Sequence, residues 1–148
     1  MMNSMSKPVI AVASDHAGFD LKEQVKELLK EYSSSVLDLG TNDKNSCDYS
    51  DFGNAVAQAV TSGKAAYGVA ICGSGIGISI AANRHKGIRA ALCQDGLSAA
   101  LSRRHNNANV LCLGARLIGS ETAADCVKQF FTTAFEGGRH EKRVQKLG

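Results

Sequence analysis

The sequence predicts an α/β fold of three layers, with helices covering both faces of a five-stranded parallel sheet. Five short runs rich in β-branched residues alternate with longer amphipathic segments. Most of the runs are continuously apolar, which is typical of parallel strands that are buried on both faces. Right-handed crossovers then place the connecting helices on the two faces of the sheet. We therefore expect the α/β/α arrangement of Rossmann-like proteins.

Each strand and helix follows from its local pattern. The predicted strands are residues 9–13, 36–39, 67–71, 88–92 and 110–113. The first helix is the clearest, because Leu21, Val25, Leu28 and Leu29 recur at i, i+4, i+7 and i+8 and form one apolar stripe. The later helices are predicted over residues 51–61, 77–83, 96–104 and 120–135. The length suits a single domain spanning residues 1–148, with residues 1–7 expected to be flexible.

The composition excludes several classes of function. Seventeen Lys and Arg against 14 Asp and Glu give a net charge of only +3, and no Trp is available for stacking against bases, so we expect no nucleic-acid partner. The apolar runs fall far short of the roughly 20 residues that span a bilayer, so no membrane partner is expected. The five cysteines form no Cys-x-x-Cys pair, which predicts reduced thiols, a cytoplasmic location and no metal site.

Polar residues concentrate directly after the predicted strands. In an open parallel sheet, the crevice that binds ligands lies at the carboxyl ends of the strands. The residues expected at this edge are Ser14, Asp15, His16, Cys47, Asp48, Tyr49, Cys72, Ser74 and Arg116. The edge therefore collects acids, a thiol, an imidazole and a cation.

The strongest local signal is the glycine-rich turn at residues 72–77, Cys-Gly-Ser-Gly-Ile-Gly, which leads from the third strand into an apolar helix. Such a turn aims backbone N–H groups and a helix N-terminus at one point, which suits a phosphate or a developing oxyanion. It departs from the Gly-x-Gly-x-x-Gly dinucleotide pattern, because Ile78 stands where the last glycine belongs. A plain tight turn is the alternative, although three glycines exceed what one turn requires.

Individual side chains at this edge also have a structural alternative. Cys72 is a candidate base or nucleophile, because the positive end of the following helix dipole favours a thiolate, whereas an inert buried thiol is the alternative. Asp15 and Asp48 would serve equally as N-caps of the first two helices, but capping leaves His16 unexplained. Tyr49 would be explained equally well as a half-buried aromatic residue with a solvated hydroxyl group.

The C-terminal part of the chain contains further candidates. His105 ends the fourth predicted helix, which starts at the carboxyl edge of the sheet and returns to the opposite edge. His105 is therefore expected far from residues 72–77 of its own chain and could join that site only across a subunit interface. Arg139 and Arg143 lie four residues apart and would form a fork for phosphate on one helical face, with a solvated basic tail as the equally weighted alternative.

Eight segments of the chain occur together, in this order, in one known family. They are residues 14–19, 48–49, 72–83, 87–90, 102–106, 109–111, 114–116 and 137–140. In these segments the chain resembles the type B ribose-5-phosphate isomerases, whose family also includes galactose-6-phosphate and allose-6-phosphate isomerases. The resemblance extends from about residue 9 to residue 144.

The resemblance implies reversible interconversion of D-ribose 5-phosphate and D-ribulose 5-phosphate in the non-oxidative pentose phosphate pathway, without a metal or an organic cofactor. It makes Cys72 the base that moves a proton between C1 and C2. The residues that would cradle the enediolate are Gly73, Ser74, Gly75 and Gly77. One branch of the family replaces the cysteine with a glutamate six residues further on, and the chain is similar to the cysteine branch because that position is Ile78.

The remaining roles also follow from the resemblance alone. It makes His105 the group that opens the furanose ring, with Asp15 and Asn106 holding sugar hydroxyls and with Asp48 and Tyr49 lining the pocket. The implied phosphate-binding set is His16, Arg116, Arg139 and Arg143. The family forms homodimers with composite active sites, and further pairing into tetramers stays open.

Two alternatives to this function remain. Ser74 stands where many members carry threonine, which leaves the preferred sugar open and keeps a hexose-6-phosphate isomerase of the same family as one alternative. A non-catalytic module that binds phosphate is the other.

Overall fold

A computed structural model describes residues 7–148 and contains the predicted five-stranded sheet. The strands are β1 (Val9–Ser14), β2 (Ser35–Asp38), β3 (Tyr67–Cys72), β4 (Ala90–Leu92) and β5 (Val110–Gly114), all parallel, in the order β2-β1-β3-β5-β4. β4 is shorter than predicted, because Ile88 donates its N–H to the His85 carbonyl in the preceding turn. Residues 1–6, which belong to the segment expected to be flexible, lie outside the described residues.

Six helices lie among the described residues. They are α1 (Phe19–Leu29), α2 (Tyr49–Thr61), α3 (Ile76–Asn83), α4 (Gly96–Asn106), α5 (Ser120–Thr132) and α6 (Arg139–Gln145). α5 ends three residues before its predicted end, because Thr133 adopts an extended backbone and its carbonyl accepts a hydrogen bond from Arg103 Nε at 3.3 Å. α6 carries the arginine pair, so these two residues lie on a helix. No described helix has both the length and the apolar character needed to cross a membrane.

The alternation of side chains along the strands divides the core into two layers. One face of the sheet carries large aliphatic residues, such as Val12, Ile71 and Leu113, which pack with buried residues of α1 and α5. The other face carries small residues, such as Ala13 and Ala70, which pack with buried residues of α2 and α3. Helices therefore cover both faces, which confirms the three-layer Rossmann-like fold.

The direction of the strands fixes where the candidate residues lie. β1, β3 and β5 end together, since Ser14 is in register with Ile71, and Cys72 with Gly114. α4 runs back from this carboxyl edge and ends at Asn106, four residues before Val110, the first residue of β5. Val110 precedes Gly114 by four strand residues, about 13 Å at 3.3 Å per residue. The sheet thus separates the loops after β1, β3 and β5 from the C-terminal end of α4.

Candidate active site

The glycine-rich turn joins β3 to α3 at the carboxyl edge of the sheet. Gly75 is the N-cap residue of α3 and has a left-handed backbone, with φ of 78°. The side-chain oxygen of Ser74 accepts a hydrogen bond from the N–H of Ile76 at 3.1 Å, which leaves the Ser74 hydroxyl proton available to another acceptor. The first N–H groups of α3 have no carbonyl one turn earlier in the helix to bind. The turn can therefore present several hydrogen-bond donors to an oxyanion.

Cys72 is the last residue of β3, and only 4% of it is exposed. Its sulfur accepts a hydrogen bond from the N–H of Gly75 at 3.2 Å. Its carbonyl accepts the N–H of Ala115 at 2.9 Å, which fastens the turn to the loop after β5. The thiol is therefore held in a defined position beside the N-terminus of α3.

Tyr49 begins α2 and lies across the glycine-rich turn. A Cβ atom added to Gly77 would lie 2.5 Å from Cε1 of Tyr49, so only a glycine allows the ring to approach this closely. The neighbouring Asp48 is the N-cap residue of α2 by its backbone, but its side chain makes no capping hydrogen bond and is exposed. Capping therefore does not explain the Asp48 carboxylate.

The loop after β1 holds Asp15 and His16 against the end of β3. The N–H of Asp15 donates to the carbonyl of Ile71 at 3.2 Å, and the buried Asp15 carboxylate accepts the N–H of Gly18 at 3.1 Å. Gly18, rather than Asp15, is the N-cap residue of α1. The N-cap alternative for Asp15 is therefore wrong in position, although the Asp15 carboxylate does bind the backbone at the start of that helix.

His16 is fixed from the opposite side by Cys47, a residue to which sequence analysis gives no role. The N–H of Cys47 donates to Nδ1 of His16 at 3.2 Å, and the Cys47 sulfur lies 3.9 Å from the same nitrogen. Because Nδ1 accepts, the neutral His16 ring carries its proton on Nε2 and can donate it to a ligand. The only signal in the sequence is that Cys47 directly precedes Asp48 and Tyr49.

Arg116 brings a cation to the same edge from the loop after β5. Its N–H donates to the carbonyl of Gly73 at 2.9 Å, and its side chain lies over that residue. A Cβ atom added to Gly73 would lie 3.4 Å from a guanidinium nitrogen of Arg116. The carboxyl edge thus brings together Asp15, His16, Asp48, Tyr49, residues 72–77 and Arg116, as predicted from their places after the strands.

The other four predicted site residues lie in a second cluster, at the amino edge of the sheet. His105 and Asn106 form the C-terminal end of α4, and Arg139 and Arg143 lie on α6. His105, Asn106 and Arg143 line a cavity of about 260 Å³. The expected separation of His105 from the glycine-rich turn of its own chain agrees with the topology.

The second cluster also contains His140 and Glu136, whose roles sequence analysis misses. The imidazole rings of His105 and His140 are stacked, with centroids 4.4 Å apart and planes inclined by 17°. Nε2 of the buried His140 lies 3.5 Å from Oε1 of Glu136. The path of the linker between α5 and α6 brings His140 to His105 and Glu136, and a local sequence pattern does not record that path. The only sequence signal is the Gly-Gly-Arg-His segment at residues 137–140.

His105, Glu136 and His140 are the residue types that bind transition metals, and their potential ligand atoms lie within 4.8 Å of one another. The two rings are nearly parallel, however, so their nitrogen lone pairs lie in separate planes and do not converge on one point. Arg139 and Arg143 add positive charge to the same helix. The cluster therefore fits a stacked imidazole pair better than a metal centre.

Comparison with known proteins gives this geometry a context. Residues 10–147 match the family model described as ribose/galactose isomerase. The chain belongs to the ribose/galactose isomerase family. It is 44% identical over 138 residues to the ribose-5-phosphate isomerase B of Escherichia coli, covering 93% of each chain. This identity and the family match confirm the resemblance found from the motifs.

Two solved structures of ribose-5-phosphate isomerases agree with the fold. A ribose 5-phosphate isomerase from Thermotoga maritima superposes with a TM-score of 0.91 at 51% identity, covering 95% of this chain and 97% of that one. The ribose-5-phosphate isomerase B of Clostridium thermocellum gives a TM-score of 0.92 at 48% identity, covering 95% of both chains. The similarity therefore extends over nearly the whole chain.

Proposed function

We propose that this family member interconverts D-ribose 5-phosphate and D-ribulose 5-phosphate through a cis-enediolate. The observation that carries the proposal is the position of Cys72, whose sulfur is held by the N–H of Gly75 next to the N-terminus of α3. The names of the relatives in Escherichia coli and Thermotoga maritima support this substrate. We also propose a cytoplasmic location, which the five free cysteines favour.

The chemistry requires one base, a stabiliser for an oxyanion and a grip on phosphate. Cys72 removes the proton from C2 of the open-chain aldose, and the electron pair of that bond forms the C1–C2 double bond while the carbonyl oxygen gains negative charge. Cys72 then returns the proton to C1 while the proton of the C2 hydroxyl passes to O1, so that C2 becomes the carbonyl carbon of the ketose and C1 carries a hydroxyl. C1 is reduced while C2 is oxidised within the same molecule, so the reaction needs no external oxidant or reductant, and the proposal includes no metal or organic cofactor.

The glycine-rich turn stabilises the enediolate. The Ser74 hydroxyl retains a proton to donate, because its oxygen accepts the Ile76 N–H. The backbone N–H of Gly77 lies in the same turn, whereas the N–H of Gly75 already donates to the Cys72 sulfur, and Gly73 and Gly75 complete the cradle around the ligand. Donors fixed in advance stabilise developing negative charge without reorganisation, which is the largest electrostatic contribution available to such a site.

The remaining candidate residues bind the phosphate and the sugar hydroxyls. Arg116 and His16 supply a guanidinium and an Nε2 donor at the carboxyl edge, and Arg139 and Arg143 supply guanidiniums from α6, which suits a dianion. Asp15 and Asn106 hold sugar hydroxyls, Asp48 and Tyr49 line the pocket, and His105 opens the furanose ring.

The two clusters form one site only if they come from different chains. His105, Asn106 and the α6 arginines lie at the amino edge, whereas Cys72 and its neighbours lie at the carboxyl edge. A homodimer in which the amino edge of one chain faces the carboxyl edge of its partner would complete two sites. We propose this composite arrangement, with tetramers as a further association of such dimers.

The decisive test is the formation of ketose from D-ribose 5-phosphate by the purified protein in buffer with a chelator. The proposal expects turnover by the wild type and a loss of several orders of magnitude in kcat for Cys72→Ala, with sugar-phosphate binding retained. Cys47→Ala is the matched control, because it also removes a thiol at this edge but not the proposed base, and it should keep most of the activity.

Two results would contradict this assignment. Turnover retained by Cys72→Ala would move the base to another residue. Turnover of allose 6-phosphate or galactose 6-phosphate in preference to ribose 5-phosphate would support the hexose alternative.

A further inference from the structure

Of the two stacked rings, only that of His105 has a role in the chemistry given above. His140 has none. His140 is buried at 6% exposure, at the start of α6, while His105 is partly exposed to the cavity of about 260 Å³. The centroid distance of 4.4 Å and the inclination of 17° place one ring face directly on the other. The ring plane of His105 is therefore set by a residue from another helix.

His140 is itself held in place. Its Nε2 lies 3.5 Å from the carboxylate of Glu136, a residue of the linker whose N–H donates to the Arg104 carbonyl at 3.1 Å. The N–H of His140 donates to the carbonyl of Gly137 at 3.0 Å. These contacts attach the His140 ring to the linker between α5 and α6, and through the linker to the end of α4.

We propose that His140, oriented by Glu136, is the positioning residue that holds His105 for opening the furanose ring. The inference rests on the proposed function, in which His105 acts on the sugar. In ring opening the C1–O4 bond breaks, the anomeric hydroxyl loses its proton as the C1 carbonyl forms, and O4 gains a proton. His105 can move these protons only if its ring nitrogens stay aimed at the sugar, which a stacked partner ensures at no cost in reorganisation.

The charges around the stack favour a neutral His140. Burial lowers the pKa of His140, and the nearby charges of His105, Arg139 and Arg143 lower it further, whereas Glu136 raises it. A neutral His140 ring places no second cation against the face of His105, where two imidazolium rings in contact would repel each other. Protonation of His140 at low pH would place a cation against His105, Arg139 and Arg143, and would separate the rings.

The test uses the asymmetry between the two directions of the reaction. D-Ribose 5-phosphate is mainly a furanose and must be opened, whereas D-ribulose 5-phosphate has its 5-hydroxyl blocked by phosphate and is already an open chain. We expect His140→Ala to lower kcat from the aldose by roughly tenfold to a hundredfold. The initial rate from the ketose should fall by less than about threefold, because proton transfer at Cys72 is untouched.

Two further variants separate positioning from packing. His140→Phe keeps an aromatic face under His105 and should recover most of the aldose rate, and the acid limb of its pH profile should move to lower pH because phenylalanine cannot be protonated. Glu136→Gln, at a side chain that is 50% exposed, should fold normally and lower the aldose rate more mildly than His140→Ala. His105→Asn is the reference for complete loss of ring opening.

The outcomes distinguish this proposal from the proposed function. Equal losses in both directions for His140→Ala and His140→Phe would show a purely structural role and overturn the positioning proposal. Wild-type rates in both directions for all three variants would overturn it as well. If His105→Asn itself showed no asymmetry while Cys72→Ala was inactive, the ring-opening role of His105 would fail and the isomerase function would stand.

Discussion

At the scale of single residues, the glycine-rich turn is held by close contacts that no larger residue allows. Gly75 has a φ of 78°, and a Cβ atom there would lie 2.5 Å from Cδ1 of Leu92 and 2.9 Å from the carbonyl carbon of Leu113. The N–H of Gly75 is also the donor to the Cys72 sulfur. Gly75, whose N–H positions the proposed base, is therefore also a residue at which a side chain would not fit.

Gly75→Ala should lower the free energy of unfolding by about 3 kcal/mol, the sum of left-handed backbone strain and overpacking. Gly63→Ala is the matched control, because Gly63 has a φ of 82° and no atom within 4 Å of an added Cβ. It should cost only about 1–2 kcal/mol, from backbone strain alone. Urea unfolding of both variants measures the difference, and equal losses would show that contact with Leu92 and Leu113 is unimportant.

At the scale of secondary-structure elements, a buried ion pair fastens α1 to the end of β2. Lys22 is fully buried, and its Nζ lies 2.9 Å from both carboxylate oxygens of Asp38, which Lys26 also contacts at 2.8 Å. Asp38 accepts the N–H of Gly40, whose carbonyl in turn accepts the N–H of Ser14. The pair therefore stabilises the loop that follows β1 and carries two of the proposed ligand-binding residues.

Asp38→Asn should destabilise the protein by roughly 2 kcal/mol at pH 7, because it leaves the buried Lys22 ammonium with only the half-exposed carboxylate of Glu23, 3.2 Å away, as an anion. Burial raises the pKa of Asp38, but hydrogen bonds from Lys26, Lys22 and Gly40 outweigh burial and leave the pKa below its usual range. This stability is present above the unfolded pKa of about 4 and is lost as pH falls through the lower folded value.

The difference in unfolding free energy between wild type and Asp38→Asn should therefore shrink below about pH 4. Asp20→Asn is the control, since the Asp20–Lys44 pair is two-thirds exposed at both side chains and should contribute less than about 1 kcal/mol. A pH-independent difference for Asp38→Asn would contradict an ionic contribution.

Elements whose ends depend on local patterns are predicted well from the sequence, whereas those that depend on tertiary contacts are not. The strands were predictable because burial on both faces makes them continuously apolar, and β4 was overextended because Ile88 is apolar yet lies in a turn. The end of α5 depends on a contact between the Thr133 carbonyl and Arg103, which no local pattern records. The stack of His105 on His140 is likewise a meeting of α4 with α6 that only the tertiary path produces.

At the scale of the whole molecule, topology predicted a separation that local motifs could not. The direction of α4 placed His105 at the edge opposite the glycine-rich turn, and the structure agrees. The contact between His16 and Cys47 could not be predicted in the same way, because it depends on how the loop before α2 folds back. General rules for parallel sheets therefore predict the sheet edge at which each candidate site residue lies, but not the residues that it contacts there.

Mixing two inactive variants tests the composite site. Cys72→Ala and His105→Asn chains should each be inactive toward ribose 5-phosphate, whereas their mixed dimer contains one site in which both residues are native. Random exchange of subunits should restore roughly a quarter of the wild-type activity, because half of the dimers are mixed and each has one of two sites intact. No recovery after exchange, verified by mass spectrometry of the mixed dimer, would place both residues in the site of one chain.

The opposite placement of Cys72 and His105 along the strands has a consequence for the cell. If the site is composite as proposed, a lone chain carries half of each catalytic set, so the number of complete sites follows the square of the chain concentration when association is weak. Halving the abundance of the protein would then remove about three quarters of the flux. The rate would thus fall more steeply than in proportion to the amount of protein, a form of control that needs no effector molecule.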